Sequence, residues 1–226
     1  MADPAASAVR PASTMLLLRD GSDGMEVFMV VRHHQIDFAS GALVFPGGSL
    51  DPDDQAAALK PELFANPDKL DATALAFRIG ALRETFEECG ILLARPNGSP
   101  TLISAIDAKR IEAKHRAALC EGKIKFSAIL ADEGLVLALD LLVPFAHWIT
   151  PVAMSKRFDT LFFMARAPED QVGAHDGHES VDSVWVTPHQ ALADTKTGRF
   201  KLVFATERNL IKLGENRTVD TALDAA

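Results

Sequence analysis

Apolar and polar positions alternate along this chain in blocks that change period, and the changes mark its elements. Met15 to Leu18 and Met25 to Arg32 read as strands separated by the turn-forming run Asp20-Gly21-Ser22-Asp23-Gly24, which predicts a hairpin. Ala42 to Phe45 is a short strand leading into a double-glycine turn at Gly47-Gly48. Asp51 before Pro52 is an N-cap with proline at the first helical position, predicting a short helix toward Lys60 that Pro61 ends. Asp71 then caps a longer helix. At about 100° per residue, Leu75, Ile79, Leu82 and Phe86 share one stripe of it, and Glu84, Glu87 and Glu88 cluster nearly opposite, so an amphipathic helix is expected. Gly90 stands where a left-handed residue ends a helix, and Ile91-Leu92-Leu93 reads as a strand. Helices are predicted over 104–119 and 126–137, and strands over 146–149, 160–165 and 181–186. Thr187-Pro188 opens a further helix, and a last one near 207–213 precedes a polar tail. Such alternation requires a mixed α/β domain.

Composition narrows the classes. With 226 residues, 48% of them hydrophobic, the chain can bury a large core, and we read one domain over 14–214, flanked by a disordered tail over 1–13 and a polar tail over 215–226. A net charge of −8 argues against sequence-independent grip on nucleic acid. Lys109-Arg110 and Lys114-His115-Arg116 share one predicted helix and read as its solvated face. Cys89 and Cys120 lack a repeated spacing, which points to a reducing, cytoplasmic compartment and to packing roles. The apolar region from Gly134 to Trp148 is interrupted by Asp140 and Pro144 and is too short to span a bilayer, so no membrane is expected. The Ala/Ser/Pro-rich start lacks the apolar core of a secretory signal, and the final Leu-Asp-Ala-Ala is not a peroxisomal address.

One stretch states a chemistry. In Arg83-Glu84-Thr85-Phe86-Glu87-Glu88-Cys89-Gly90-Ile91, carboxylates three and four residues apart fall on one side of a helix, where like charges repel by roughly 0.2–0.5 kcal/mol per pair. A hard divalent cation that prefers oxygen ligands would compensate them. Any surface helix can carry such a pattern, but here Arg83 stands four residues before Glu87, placed to pair with it, and a glycine turn lies upstream.

The order glycine turn, then Arg-Glu-x-x-Glu-Glu-x-Gly-Ile, resembles the signature box of the nudix hydrolases: Gly, five residues, Glu, seven residues, then Arg-Glu-apolar-x-Glu-Glu-x-Gly-apolar. The second half is met at every fixed position, with Thr85 where an aliphatic residue is usual. In the first half, six on from Gly48 comes Asp54 rather than Glu, and Arg83 stands 21 positions beyond the place of the uninterrupted pattern, 83 against 62. An insertion over about 52–71 therefore splits the box, and a helical insertion follows over about 104–140. A split box is similar to the subgroup typified by the peroxisomal coenzyme A diphosphatases, as are Gly48-Ser49-Leu50-Asp51, Ala76-Phe77-Arg78-Ile79, Trp148-Ile149-Thr150-Pro151 and Arg157-Phe158-Asp159-Thr160-Leu161-Phe162-Phe163.

The resemblance implies an α/β/α sandwich with a mixed sheet and Mg²⁺- or Mn²⁺-dependent hydrolysis of a diphosphate linkage, with coenzyme A or an acyl derivative as the substrate and water as the nucleophile. It implies Glu84, Glu87 and Glu88 as metal ligands with the backbone carbonyl of Gly47, Arg83 orienting the carboxylates, and Glu179, which otherwise reads as an ordinary loop charge, as the candidate general base. His175 and His178 in the same loop have no recognised zinc spacing and read as surface. Upstream, Arg32, Gly41 and Phe45-Pro46-Gly47-Gly48 keep the register of the subgroup's coenzyme A element, but His33 replaces a small residue and Asp37 stands where a second Arg would be. Arg32 reads equally as a strand-end charge and a substrate contact, Phe38 as a pocket aromatic or core, and Gly48 as backbone against the substrate. ADP-ribose, dinucleotides or oxidised nucleoside triphosphates stay open as substrates, as do a binding module without turnover and assembly as a homodimer.

Overall fold

The strand nearest the middle of the sheet is apolar on both faces. In the computed structural model, which describes residues 8–32, 41–65, 69–171, 173 and 180–226, β1 (Val9–Gly21) places Met15 and Leu17 in one buried cluster and Leu16 and Leu18 in another. A strand covered on both faces reads as a continuous apolar run rather than an alternating one. β1 turns through Ser22-Asp23 into the antiparallel β2 (Gly24–Arg32), with Gly24 at φ +119°. On its other edge it runs parallel to β8 (Arg157–Arg166), from Val9 opposite Arg157 to Leu18 opposite Arg166. β3 (Leu43–Val44) and β9 (Ser180–Val186) pair with β2, β4 (Gly47–Ser49) pairs with β1, and β7 (Val143–Ile149) extends the sheet beyond β8.

Helices cover both faces. On one lie α1 (Pro52–Ala57), α2 (Ala72–Cys89), α3 (Ala105–Cys120) and α4 (Phe126–Asp132), whose Phe86, Ile111, Phe126 and Ile129 share the cluster of Met15 and Leu17. On the other lie α5 (Pro188–Lys196), α6 (Phe204–Leu213) and α7 (Val219–Asp224), with Ala191, Leu210, Leu213 and Val219 against Leu16 and Leu18. This is the expected mixed-sheet sandwich. No described helix is long and apolar enough to cross a membrane.

Several boundaries differ from the sequence reading, each for a tertiary reason. Val9 to Ser13, read as tail, belong to β1, because backbone pairing with β8 and β4 overrides their composition. Pro11 lacks an N–H yet accepts from Leu50 N–H at 3.0 Å. α1 stops at Ala57, and Pro61–Leu63 forms a 3₁₀ turn instead of a helix end. Ile91 to Leu93 are buried but unladdered; both backbone groups of Leu92 bond the buried Gln171 side chain, at 3.0 and 3.2 Å, and the strand is β5 (Ala94–Pro96). The helix predicted over 126–137 ends at Asp132, where left-handed Gly134 (φ +63°) turns the chain into β6 (Leu135–Leu137), the partner of β5. The polar tail contains α7: Thr218 and Thr221 form a capping box, Val219 and Ala222 are buried, and Asp20 accepts from Val219 N–H at 2.9 Å.

Candidate metal and diphosphate site

α2 carries the site and is fixed at both ends. The Asp71 side chain accepts from Ala74 N–H at 2.8 Å at its start, and Gly90 closes it at φ +70° with its N–H on Phe86 O. Contrary to the amphipathic expectation, α2 is buried nearly all round: Glu84 and Glu88 are only 9% and 6% exposed. The glycine turn and α1 pack where solvent was expected. Thr85, wholly buried, satisfies its hydroxyl on Ala81 O at 2.7 Å, which explains how a threonine fits an aliphatic position.

Arg83 is the hub. Its Nη1 donates to Glu84 at 2.9 Å and to Glu87 at 3.0 Å, and its Nη2 donates to Ser49 O at 2.9 Å. Nε and Nη2 form a fork on Asp54 Oδ1 and Oδ2, each at 3.0 Å. Asp54, the residue that departs from Glu in the box, therefore keeps a carboxylate in contact with the arginine. It also closes the α1 capping box by accepting from Asp51 N–H at 2.8 Å. Burial pushes the Asp54 carboxyl above its ordinary range, opposed by Arg83, and burial likewise works against the Arg83 charge. The fields of Glu84, Asp54 and Glu87 outweigh it and hold the guanidinium above the ordinary arginine value.

The glycine turn meets the carboxylates directly. Gly47 N–H donates to Glu88 at 3.1 Å. A Cβ on Gly47 would lie 2.5 Å from Ser13 O, so backbone contact excludes a side chain there, and one on Gly48 would lie 2.6 Å from Glu84 Oε1 and displace that carboxylate. The structure thus brings together Arg83, Glu84, Glu87, Glu88, Gly47 and Gly48. Arg32 ends β2 opposite Ser180, the first residue of β9. Phe38, Glu179, His33, Asp37, His175 and His178 lie outside the described residues, as does the Arg32 side chain. The sequence reading does not pair Asp54 or the Ser49 carbonyl with Arg83, although counting along the box reaches Asp54.

The model of the NUDT19 Nudix domain matches residues 56–203, well over half of the chain. This chain belongs to the Nudix family. The relatives named acyl-coenzyme A diphosphatase NUDT19 from Xenopus laevis and Homo sapiens are 26% and 28% identical to it over 216 and 207 residues. Those alignments cover 79% and 75% of this chain but 57% and 55% of the relatives, so the chain spans little more than half their length. A Nudix hydrolase of solved structure from Alicyclobacillus acidocaldarius is 28% identical, with a TM-score of 0.76 over 97% of both chains.

Elsewhere in this Nudix domain, among the described residues, His115, Asp132 and Glu133 bring three ligand-type atoms within 4.8 Å of one another, whereas the box glutamates do not converge as closely. Cations already fill that cluster: Lys114 Nζ lies 2.8 Å from both Asp132 and Glu133, and Arg110 lies 2.7 Å from Glu133. It is an ion-paired clamp between α3 and α4, and it accounts for much of the basic face read from the sequence. Hydrogen bonds from Lys114, His115 and Arg110 hold the Glu133 carboxyl at about 2, below its ordinary 4.5. A depressed carboxyl stabilises the fold above its unfolded value and ceases to do so as pH falls through the folded one. The Tm advantage of the wild type over Glu133→Gln is therefore expected to be full above about pH 4.5 and to close toward pH 2, as followed by circular dichroism. A gap independent of pH would contradict the clamp.

Proposed function

We propose that this domain hydrolyses the diphosphate linkage of coenzyme A or an acyl-coenzyme A, releasing 3′,5′-ADP and a phosphopantetheine product. The observation that carries this is the seating of the helix carboxylates on a side-chain-free glycine bend, with Arg83 fixing two of them. The names of the matched relatives point to the same substrate class. The donor set is all hard oxygen, which suits Mg²⁺ or Mn²⁺ held by Glu84, Glu87, Glu88 and the Gly47 carbonyl. When bound, such a dication supplies charge neutralisation at the phosphate oxygens.

The protein's own part is positional. Arg83 prevents Glu84 and Glu87 from swinging apart, Gly47 N–H orients Glu88, and the bare backbone of Gly48 makes room for the Glu84 carboxylate. Glu179 is the proposed general base for the attacking water, and Arg32 and Phe38 are proposed substrate contacts. Cys89 and Cys120 form no disulfide, which supports a reducing cytoplasmic setting as part of the same reading.

One observation favours a second reading. Asp37 stands where the coenzyme A element expects a cation, which removes a partner for the 3′-phosphate and suits ADP-ribose or another nucleotide diphosphate. A panel of coenzyme A, acetyl-coenzyme A, ADP-ribose, a diadenosine polyphosphate and an oxidised nucleoside triphosphate, each with Mg²⁺ or Mn²⁺, separates the two by chromatography of the products. The highest kcat/KM is expected on a coenzyme A compound, with 3′,5′-ADP formed. Preference for ADP-ribose would select the second reading, and no turnover above a metal-free blank on any compound would overturn both.

A further inference from the structure

We infer that Arg116 of the helical insertion is a positioning residue for the metal-binding turn of α2, an inference that rests on the metal role proposed for Glu84, Glu87 and Glu88. The carbonyls of the last helical turn have no partner within the helix and must find one elsewhere. Phe86 O takes Gly90 N–H. Glu87 O instead accepts from Arg116 Nε at 2.8 Å, across 29 residues of sequence, with Cys120 Sγ of the same helix a weaker second donor at 3.7 Å. The guanidinium is itself held by Glu112, whose Oε1 accepts from Nη1 at 2.9 Å one turn earlier on α3.

The contact is tight. A Cβ on Gly90 would lie 2.8 Å from the Glu112 carboxylate and 3.2 Å from Arg116 Nη1, so the ion pair seats on the bend that ends α2. Two properties suit this pair to hold metal ligands. A cation at a helix C-terminus is favourable to the helix dipole. Its charge is matched by Glu112, so it fixes the peptide joining Glu87 to Glu88 without adding an unmatched positive charge beside a dication. Arg116 acts from the backbone side of these residues as Arg83 acts from the side-chain side, and the two belong to different elements.

Mn²⁺ binding to the whole protein without substrate, followed by isothermal titration and by the electron paramagnetic resonance signal of the free ion, tests this. Arg116→Gln is expected to raise the Mn²⁺ Kd about tenfold, and Arg116→Lys, which keeps one donor and the charge but loses the fork, to recover part of the difference. Tm is recorded for each variant, because a purely structural brace would lower Tm and leave the Kd of the folded protein unchanged. If Arg116→Gln does not fold, Arg116→Lys alone decides, with a wild-type Kd counting against the inference. Glu88→Gln in the same titration separates the failures. If it loses Mn²⁺ while the Arg116 variants bind as the wild type does, only the positioning role falls; if it too binds normally, the metal assignment falls and the inference with it.

Discussion

Replacing Glu88 by Gln should lower the proposed Mg²⁺-dependent release of 3′,5′-ADP from coenzyme A by about 10³-fold, the scale on which removing one group that neutralises transition-state charge is felt. The fold should be nearly untouched. Glu88 accepts from Gly47 N–H at 3.1 Å, and a glutamine still offers a carbonyl oxygen to that donor, so Tm should fall by only a few degrees. What the substitution removes is charge at a site of oxygen donors. Glu87→Gln should behave alike, because its contact with Arg83 Nη1 at 3.0 Å also needs only an acceptor. Steady-state kinetics with and without Mg²⁺, alongside thermal melts, make the comparison. Turnover unchanged in both variants would remove the metal assignment, whereas loss of turnover together with loss of fold would show these carboxylates to be structural.

The parts of this site that could be read from the chain are those built from near neighbours. Asp71, Gly90 and the spacing of Glu84, Glu87 and Glu88 all act within one helix, and the Arg83–Glu87 pair is one turn long, so local geometry fixes them. The residues that complete the site come from elsewhere in the sequence. Asp54 is 29 residues from Arg83, and Arg116 is 29 residues from Glu87; no periodicity carries such pairings. Burial of the carboxylate face was equally hidden, because a helix whose charged side is covered by a glycine turn and a short helix has the same hydrophobic pattern as one facing water. The ends of elements failed for related reasons. Val9 to Ser13 form strand only because β8 lies beside them, and the tail residues after Thr218 form α7 because Val219 and Ala222 find apolar partners against β1 and β8. Apolar runs such as Ile91 to Leu93 and Leu135 to Leu137 fit strand, helix or buried coil, and their partners decide among these.

The insertion that splits the box is expected to be a structural requirement of the site, and Asp54→Ala should show it with a loss of about 3 kcal/mol, the low end of the cost of breaking a buried ion pair, because Arg83 loses its forked carboxylate but keeps Glu84, Glu87 and Ser49 O. Asp54 is 1% exposed and Arg83 6%, so the guanidinium cannot recover by turning to water. The same substitution removes the acceptor that closes the α1 capping box, worth about a further 1 kcal/mol. Against a folding stability of about 5–15 kcal/mol, this should move the urea midpoint far enough to measure without ambiguity. Arg83 released from Asp54 would also hold Glu84 and Glu87 less firmly, so kcat of the folded fraction should fall as well. Asp53→Ala is the control: the neighbouring carboxylate binds Ser127 N–H and Oγ at 2.9 and 2.8 Å and ties α1 to α4 rather than to α2. It should cost about 1–3 kcal/mol and leave kcat of the folded protein near wild type. If Asp54→Ala were no more damaging than Asp53→Ala in either measurement, Arg83 would be sufficiently anchored by Glu84, Glu87 and Ser49 O alone, and the insertion would be only an attachment to the site.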